Sequence, residues 1–277
     1  MNAFTPLQPR GVLLIGHGTR DAAGTQEFFS LAERVAEELA ADAVVRPCLL
    51  EFQKPDIAEA WASLMQARCT EIVVAPLLLF AAGHAKSDIP GEVDAARAST
   101  PSNDPITVSY AKPITRHPAM IAAVRERLRR SLQRTESDGP DSSTVVVMVG
   151  RGSRDVCATT DMRVLSETAI RGRVEGVSIA DELRISPLGL STTFYAMAEP
   201  RLPATLDEVA RSGHFSRIIV HPHLLFSGRL YDAIVEQVAT VAAEHPSIRF
   251  EISDYLGPTS AVAAAIAGRI RQTSSLR

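Results

Sequence analysis

Residues 11–21, "GVLLIGHGTRD", place a glycine-rich turn directly after a run of aliphatic residues. Nearly the same arrangement returns at 145–155 as "VVVMVGRGSRD". A fully apolar strand that leads into a tight turn and a helix is typical of α/β proteins, whose buried strands form parallel sheets. The two copies differ at one chemically important position, where His17 of the first copy is replaced by Arg151 in the second. These stretches predict a duplicated α/β domain in which one copy has changed its chemistry.

Further apolar runs follow each copy and alternate with amphipathic segments of helical period. In the first half they cover 43–52, 71–80 and 106–114, and in the second half 180–190, 217–226 and 249–257. The sequence therefore predicts two similar α/β lobes in tandem, each a four-stranded parallel sheet flanked by helices. A polar segment at 134–143 that contains Gly, Pro and Ser separates them. We therefore expect lobes at 1–135 and 143–277.

Shorter matches occur in the same order in both halves. "FQKPDI" at 52–57 pairs with "MAEPRL" at 197–202, "PLLLF" at 76–80 with "PHLLF" at 222–226, and "YAKP" at 110–113 with "YLGP" at 255–258. The offset between the copies grows from 134 residues (Gly16 to Gly150) to 145 (Phe52 to Met197). We therefore expect an insertion in the second copy near 184–196.

Composition excludes several classes of protein. With 45% hydrophobic and 22% charged residues the chain has enough apolar material for packed cores. A net charge of -3 provides no basic field, so a nucleic-acid partner is not expected. No apolar run approaches the ~20 residues that span a membrane, and the N terminus lacks the apolar core of a signal peptide. Three cysteines without a C-x-x-C pair exclude a cysteine-held cluster and predict a cytoplasmic protein.

Three ionisable residues follow the first three predicted strands, namely His17, Glu51 and His84. Ligands of open parallel sheets bind beyond the carboxyl ends of the strands, where these residues are expected. The corresponding residues of the second copy are Arg151, Ala196 and Leu230, or Arg229 if the glycines are matched instead. All three are exchanged together, which favours a function over a role in the fold. Two neutral imidazoles and a carboxylate can bind a divalent metal such as Co(II), Ni(II), Fe(II) or Zn(II) and leave coordination positions open.

Other polar residues near the strand ends have simpler interpretations. Asp21 is expected to cap the following helix, and the helix N-termini after both glycine turns are expected to offer donors to carboxylates. His221 and His223 are expected to point to opposite faces of a strand end, with a role in packing or solvent contact.

The stretches "LLIGHGTRD", "LLEFQKPDIAEA" and "APLLLFAAGHAKSDIP" resemble motifs of the sirohydrochlorin chelatases. These class II chelatases insert Co(II) or Fe(II) into a reduced tetrapyrrole. The resemblance covers nearly the whole chain, because long members of the family are tandem repeats with one degenerate half. It implies two four-stranded parallel lobes that face each other across a cleft. In the third motif the family often reads "PGxHxxxDIP", so this chain departs from it just before the histidine.

The resemblance implies that His17 and His84 bind the metal and that both act in catalysis with Glu51. The metal, Co(II), Fe(II) or Ni(II), is a substrate, and no further cofactor is implied. Either Glu51 or a histidine takes up the pyrrole protons. The carboxylates of sirohydrochlorin are expected to meet six basic residues, which are Arg20, Lys54, Lys86, Arg116, Arg151 and Arg154.

Two alternatives remain beside a chelatase of cobalamin or sirohaem biosynthesis. A non-catalytic carrier of metal or tetrapyrrole would use the same histidines. A phosphoryl-transfer enzyme is disfavoured, because Gly16 stands where histidine phosphatases favour arginine and no P-loop motif occurs. The expected partners are sirohydrochlorin and a divalent metal ion, with no membrane or nucleic acid. A monomer would suffice, since one chain contains both lobes.

Overall fold

The computed structural model describes residues 9–40, 42–80, 88–100, 105–133, 143–174 and 176–274, and these form two parallel sheets. The strands of the first sheet are β1 (Arg10–Gly16), β2 (Val44–Leu49), β3 (Glu71–Pro76) and β4 (Thr107–Tyr110). Their order across the sheet is β2-β1-β3-β4, and all neighbours are parallel. Strand β1 is buried along almost its whole length, as expected of a continuous aliphatic run at the centre of a sheet.

The second sheet repeats this topology. The strands of the second half are β5 (Thr144–Gly150), β6 (Arg173–Val174), β7 (Val177–Ser178), β8 (Ile185–Phe194), β9 (Arg217–Pro222) and β10 (Arg249–Ile252). The order β8-β5-β9-β10 matches that of the first sheet, whereas β6 and β7 form a separate antiparallel pair. The prediction of two similar four-stranded parallel sheets is therefore confirmed.

Helices connect the strands and cover the sheets. They are α1 (Ala22–Glu38), α2 (Ile57–Gln66), α3 (Asp88–Ser99), α4 (Pro118–Gln133), α5 (Val156–Arg171), α6 (Ile179–Glu182), α7 (Leu202–Arg211), α8 (Arg229–Glu244) and α9 (Ser260–Ser274). In the first sheet's core, Trp61 and Leu64 of α2 belong to the same buried cluster as Ile72 and Val74 of β3. These apolar side chains recur at helical spacing on α2 and at alternate positions on β3, which explains why they share one core.

The chain folds into two compact units. One holds residues up to His117 together with those from Pro258 onward, and the other holds Pro118–Gly257. These units differ from the predicted lobes 1–135 and 143–277 in their last helices. Helix α4 belongs to the second unit, and α9 belongs to the first.

Arginine side chains attach each of these two helices to its own unit. In the second unit, Arg125 of α4 donates to the carbonyls of Ala169 and Thr168 at the end of α5 (2.8 and 3.1 Å). In the first unit, Arg269 of α9 donates to the carbonyl of Pro113 (2.9 Å), and Arg271 forms an ion pair with Asp42.

The added residues of the second copy begin earlier than predicted. They form the β6–β7 pair, α6 and the start of β8, so the expected position at 184–196 contains only the last part of the insertion. The register shows why: Gly150 pairs with Phe194 as Gly16 pairs with Leu49, so the end of β8 already matches the first copy.

The structure also shifts the predicted match of "YAKP" (110–113) with "YLGP" (255–258) by three residues, from Tyr255 to Ile252. The amide of Ala111 donates to Val74, and that of Ser253 donates to Val220, both at 2.9 Å. The end of β4 therefore corresponds to the end of β10, and the counterpart of Tyr110 is Ile252 rather than Tyr255.

Among the described residues, no helix combines the length and the apolar character that a membrane span requires.

Candidate active site

The carboxyl ends of three neighbouring strands meet at one edge of the first sheet. Gly16 at the end of β1 is in register with Leu49 at the end of β2. Ile15 is in register with Pro76 at the end of β3, and the amide of Leu77 donates to the Ile15 carbonyl (2.7 Å). The segments that follow these strands therefore all start at the same edge, where parallel sheets bind ligands.

Hydrogen bonds join the backbones of His17 and Glu51. The amide of Glu51 donates to the carbonyl of His17 (3.0 Å), and the amide of Leu50 donates to that of Gly16 (2.9 Å). Both His17 and Glu51 are exposed. The structure thus brings together two of the three residues that the sequence singled out, although they are 34 positions apart in the chain (51 minus 17).

Gly18 makes this close approach possible. Its φ is +92°, and a Cβ atom there would lie 2.1 Å from the carbonyl oxygen of Glu51. A side chain at position 18 would therefore force the loop after β1 away from the turn after β2. The contact is strengthened by Gln53, whose Nε2 donates to the carbonyl of Thr19 (3.1 Å).

Asp21 caps helix α1 as predicted. Its carboxylate accepts from the amides of Ala23 and Gly24 (2.8 and 3.1 Å), and its own amide donates to Thr19 Oγ1 (3.1 Å). In the second unit, the Asp155 carboxylate accepts from an amide at the start of α5 in the same way. These three amides therefore have protein acceptors, and the expectation that the helix N-termini offer further donors to a ligand stays a prediction.

His84 and Lys86 lie outside the described residues. The structure describes the segment after β3 as far as Phe80, and this segment starts beside β1. The convergence of His84 with His17 and Glu51 stays a prediction.

The basic residues of the first unit have different surroundings. Arg20 is exposed, and its guanidinium carbon lies 4.6 Å from the centroid of the Phe52 ring. Lys54 forms ion pairs with Asp56 and, at 3.3 Å, with Glu59, and its hydrogen bond with Asp56 raises the pKa of its ammonium group. Arg116 is exposed and follows β4. Because Asp56 and Glu59 form the capping box of α2, the charge of Lys54 is partly neutralised by its neighbours.

The second unit reproduces the backbone hydrogen bonds of this edge. The amide of Ala196 donates to the carbonyl of Arg151 (2.9 Å), and the amide of Tyr195 donates to that of Gly150 (2.9 Å). Gly152 has a φ of +89°, close to that of Gly18. This geometry confirms that Arg151 stands in the place of His17 and Ala196 in the place of Glu51. The second unit has kept the backbone of the site and lost its imidazole and carboxylate.

The turn after the second strand is also duplicated. Phe52 and Met197 both have positive φ values (69° and 60°), and the peptide bonds Lys54–Pro55 and Glu199–Pro200 are both cis. The amide of Leu49 donates to Pro55, and that of Phe194 donates to Pro200, both at 2.9 Å.

His221 and His223 lie in the core of the second unit. Their ring centroids are 6.2 Å apart, and both side chains are fully buried. The expectation that they point to opposite faces is wrong, because residues two apart on a strand share a face. His221 Nδ1 lies 2.6 Å from Ser253 Oγ. Burial lowers the pKa of His223 to about 3, and burial, His223 and Arg127 lower the pKa of His221 well below its usual value.

One other group in the described part of the chain has the residue types of a metal site. Ligand atoms of Asp207, Glu244 and His245 lie within 4.8 Å of one another. His245 Nε2 contacts Asp207 (3.0 Å), which also forms an ion pair with Arg211 (3.1 Å). Because α8 starts after the carboxyl end of β9, its last residues lie toward the amino ends of the strands in the second sheet. Within the second unit, this group therefore lies away from the edge that carries Arg151.

A sequence model of the CbiX family matches residues 11–131 and 145–273, which together cover most of the chain. The chain belongs to the CbiX family. The two matched segments agree with the two sheets, so the family's unit occurs twice in this protein.

Curated relatives extend over nearly the full length of this CbiX chain. It is 26% identical over 249 residues to the sirohydrochlorin cobaltochelatase of Priestia megaterium. The aligned region covers 90% of this chain and 74% of that protein. It is 27% identical over 266 residues to the sirohydrochlorin ferrochelatase of Bacillus subtilis, with coverage of 96% and 92%.

Solved structures of SirB from Bacillus subtilis have the same fold. The structure of SirB with Fe3+ is 28% identical, covers 96% of both chains and superposes with a TM-score of 0.76. A SirB structure in complex with cobalt, described as a sirohydrochlorin chelatase, is 27% identical with a TM-score of 0.74.

Proposed function

We propose that this CbiX protein is a sirohydrochlorin chelatase that inserts Co(II) or Fe(II) into the tetrapyrrole. The observation that carries the proposal is the hydrogen-bonded junction of His17 with Glu51 at the carboxyl edge of the first sheet. Relatives that match most of the chain are named cobaltochelatase or ferrochelatase, which supports the same reaction. In chemical class the enzyme would be a lyase.

The reaction requires a metal ligand and a proton acceptor. A divalent ion that replaces two pyrrole N–H protons leaves a neutral metal–ring core and releases two protons. A neutral imidazole of His17, joined by that of His84, would hold the incoming ion with open coordination positions. The carboxylate of Glu51 would accept a proton as each pyrrole N–H is lost. A histidine that has released the metal is the alternative acceptor.

The exposure of His17 and Glu51 suits this chemistry. A tetrapyrrole macrocycle is too large to enter a closed core, but it can reach the exposed side chains of His17 and Glu51 at the end of the sheet. Protonated imidazole cannot bind metal, so insertion should slow as the pH falls below about 6.5, the ordinary pKa of histidine.

The second unit would bind carboxylates rather than metal. Arg151 replaces the imidazole on an unchanged backbone, and a guanidinium can form two parallel hydrogen bonds with a carboxylate. We propose Arg151 and Arg154 as substrate-binding residues, with Arg20 and Arg116 in the first unit. Lys86 belongs to the same proposal, whereas Lys54 contributes less because Asp56 and Glu59 pair with it. The first lobe would carry the active site, and the second would be the degenerate repeat.

We further propose a monomer that works in the cytoplasm. One chain already contains both copies of the CbiX unit. The three cysteines Cys48, Cys69 and Cys157 are free, as expected in a reducing compartment.

The test is an insertion assay with metal-free sirohydrochlorin and Co²⁺, Fe²⁺ or Ni²⁺, in which the absorbance spectrum reports the product. A chelatase gives initial rates proportional to protein concentration and above those of metal and tetrapyrrole alone. A carrier binds either substrate but leaves the rate at the uncatalysed value, and that result would reject the proposal. The ranking of the three metals identifies the preferred ion.

A further inference from the structure

Phe52 combines two features that do not stabilise the protein. Its side chain is 53% exposed, so most of the benefit of burying an aromatic ring is lost. Its φ of +69° is rare for a bulky residue, and glycine would adopt this conformation without strain. Isolated exposed apolar residues are common on proteins, but strained backbone at the same residue points to a function.

The internal repeat offers a comparison. Met197 occupies the same position in the second unit, also with positive φ (60°) and with 42% exposure. The neighbouring carboxylate Glu51 has become Ala196, yet a large exposed apolar side chain is present in both copies. The apolar side chain is therefore independent of metal chemistry, and contact with an apolar surface of a ligand explains its presence.

Hydrogen bonds hold the backbone at Phe52 next to the residues of the candidate site. The residue directly follows Glu51, and the amide of Gln53 donates to the Glu51 carbonyl (2.9 Å). The Gln53 side chain also donates to Thr19, so the turn is attached to the loop that carries His17. These bonds attach the turn that carries Phe52 to the loop that carries His17.

Arg20 adds a charge to this aromatic surface. Its guanidinium carbon lies 4.6 Å from the ring centroid, within the range of a cation–π contact. A guanidinium in a cation–π contact keeps N–H donors that a carboxylate can accept. A flat ring beside a cation is complementary to a conjugated macrocycle with carboxylates at its periphery.

We propose that Phe52, with the Arg20 guanidinium over its ring, is a positioning residue that contacts the face of the tetrapyrrole and holds the macrocycle beside Glu51. The proposal rests on the proposed chelatase function, because it takes the substrate from there. Phe52 takes no part in the proton or metal transfer. Its loss should therefore weaken tetrapyrrole binding and leave the chemical step intact.

The test compares F52G with R68G. Phe52 and Arg68 both have a positive φ (69° and 57°), so glycine at either position relieves backbone strain. Both variants should therefore keep or raise the Tm. Arg68 follows α2 and precedes β3, so it lies at the amino edge of the sheet, away from the site. F52G should raise the KM for sirohydrochlorin about three- to tenfold at unchanged kcat, consistent with the loss of one aromatic contact. R68G should leave KM unchanged.

Two further measurements keep the proposal separate from the chelatase function. F52Y preserves the aromatic face and should keep KM within about twofold of the wild type. The Kd of metal-free sirohydrochlorin, measured by its fluorescence, should change with KM in each variant. A wild-type protein that inserts metal while F52G retains the wild-type KM and Kd would overturn the role of Phe52. A wild-type protein without insertion would contradict the chelatase function, and the Kd values would still test Phe52.

Discussion

At the scale of single residues, the site depends on a few backbone positions that place His17 beside Glu51. The sequence predicted that these residues follow neighbouring strands, because parallel strands deliver their carboxyl ends to one edge. It also predicted the exchange of His17 for Arg151, which the duplicated hydrogen bonds confirm. The left-handed conformation of Phe52 was not predicted, since no sequence rule assigns positive φ to a phenylalanine.

Gly18 provides a direct test of this backbone junction. We expect G18A to lower the free energy of unfolding by about 2 kcal/mol, because alanine at φ +92° is strained and its Cβ would collide with the Glu51 carbonyl. Urea denaturation measures the change.

The matched control is G91A in helix α3. Nothing lies within 4 Å of a Cβ atom at position 91, so alanine should raise stability by up to about 1 kcal/mol through its better helix propensity. If G18A were as stable as the wild type, the close approach of the two loops would not exist in solution.

At the scale of elements, the sequence predicted where strands and helices occur. It did not predict which sheet the helices α4 and α9 pack on. Apolar runs of strand length marked all eight strands of the two parallel sheets. The membership of α4 in the second unit depends on long-range contacts, such as that between Arg125 and Ala169, 44 positions apart. Hydrophobic period shows that a helix has a buried face but does not say which sheet covers that face.

Arg125 tests the placement of α4. Its side chain is 6% exposed and donates to three carbonyls at the end of α5, those of Ala169, Thr168 and Gly172. R125A should lower the free energy of unfolding by about 3 kcal/mol, because three carbonyls, of which that of Ala169 is buried, lose a charged donor.

R130A on the same helix is the control. Arg130 forms an exposed ion pair with Glu126 (2.8 Å), and its loss should change stability by less than about 0.5 kcal/mol. Equal effects of R125A and R130A would contradict the described packing of α4 on α5.

At the scale of the whole molecule, duplication has let the two cores diverge. The amides of Leu77 and His223 make the same backbone hydrogen bond at the ends of β3 and β9, so an apolar residue of the first unit corresponds to a buried histidine of the second. The sequence left packing and solvent contact open for this histidine, and it wrongly placed the two imidazoles on opposite faces.

The buried imidazoles predict a loss of stability in acid. The unfolded chain protonates each histidine near pH 6.5, whereas the folded pKa of His223 is about 3 and that of His221 is also lowered. Below about pH 6.5 the unfolded state therefore binds more protons, and stability falls by up to about 1.4 kcal/mol per pH unit for each group.

Urea titrations between pH 7 and 4 measure this slope. H223L, which installs the residue of the first unit, should flatten it. A slope that H223L does not alter would show that His223 is protonated in the folded protein.

We propose that one repeat performs the metal chemistry and the other binds the anionic substrate. The most direct measurement is the initial rate of Co²⁺ insertion as a function of sirohydrochlorin concentration, for the wild type, H17A and R151A. We expect H17A to lower kcat about 100-fold or more, and R151A to raise KM about tenfold with kcat retained. Near-normal kcat in H17A, or a loss of kcat without change of KM in R151A, would contradict the account.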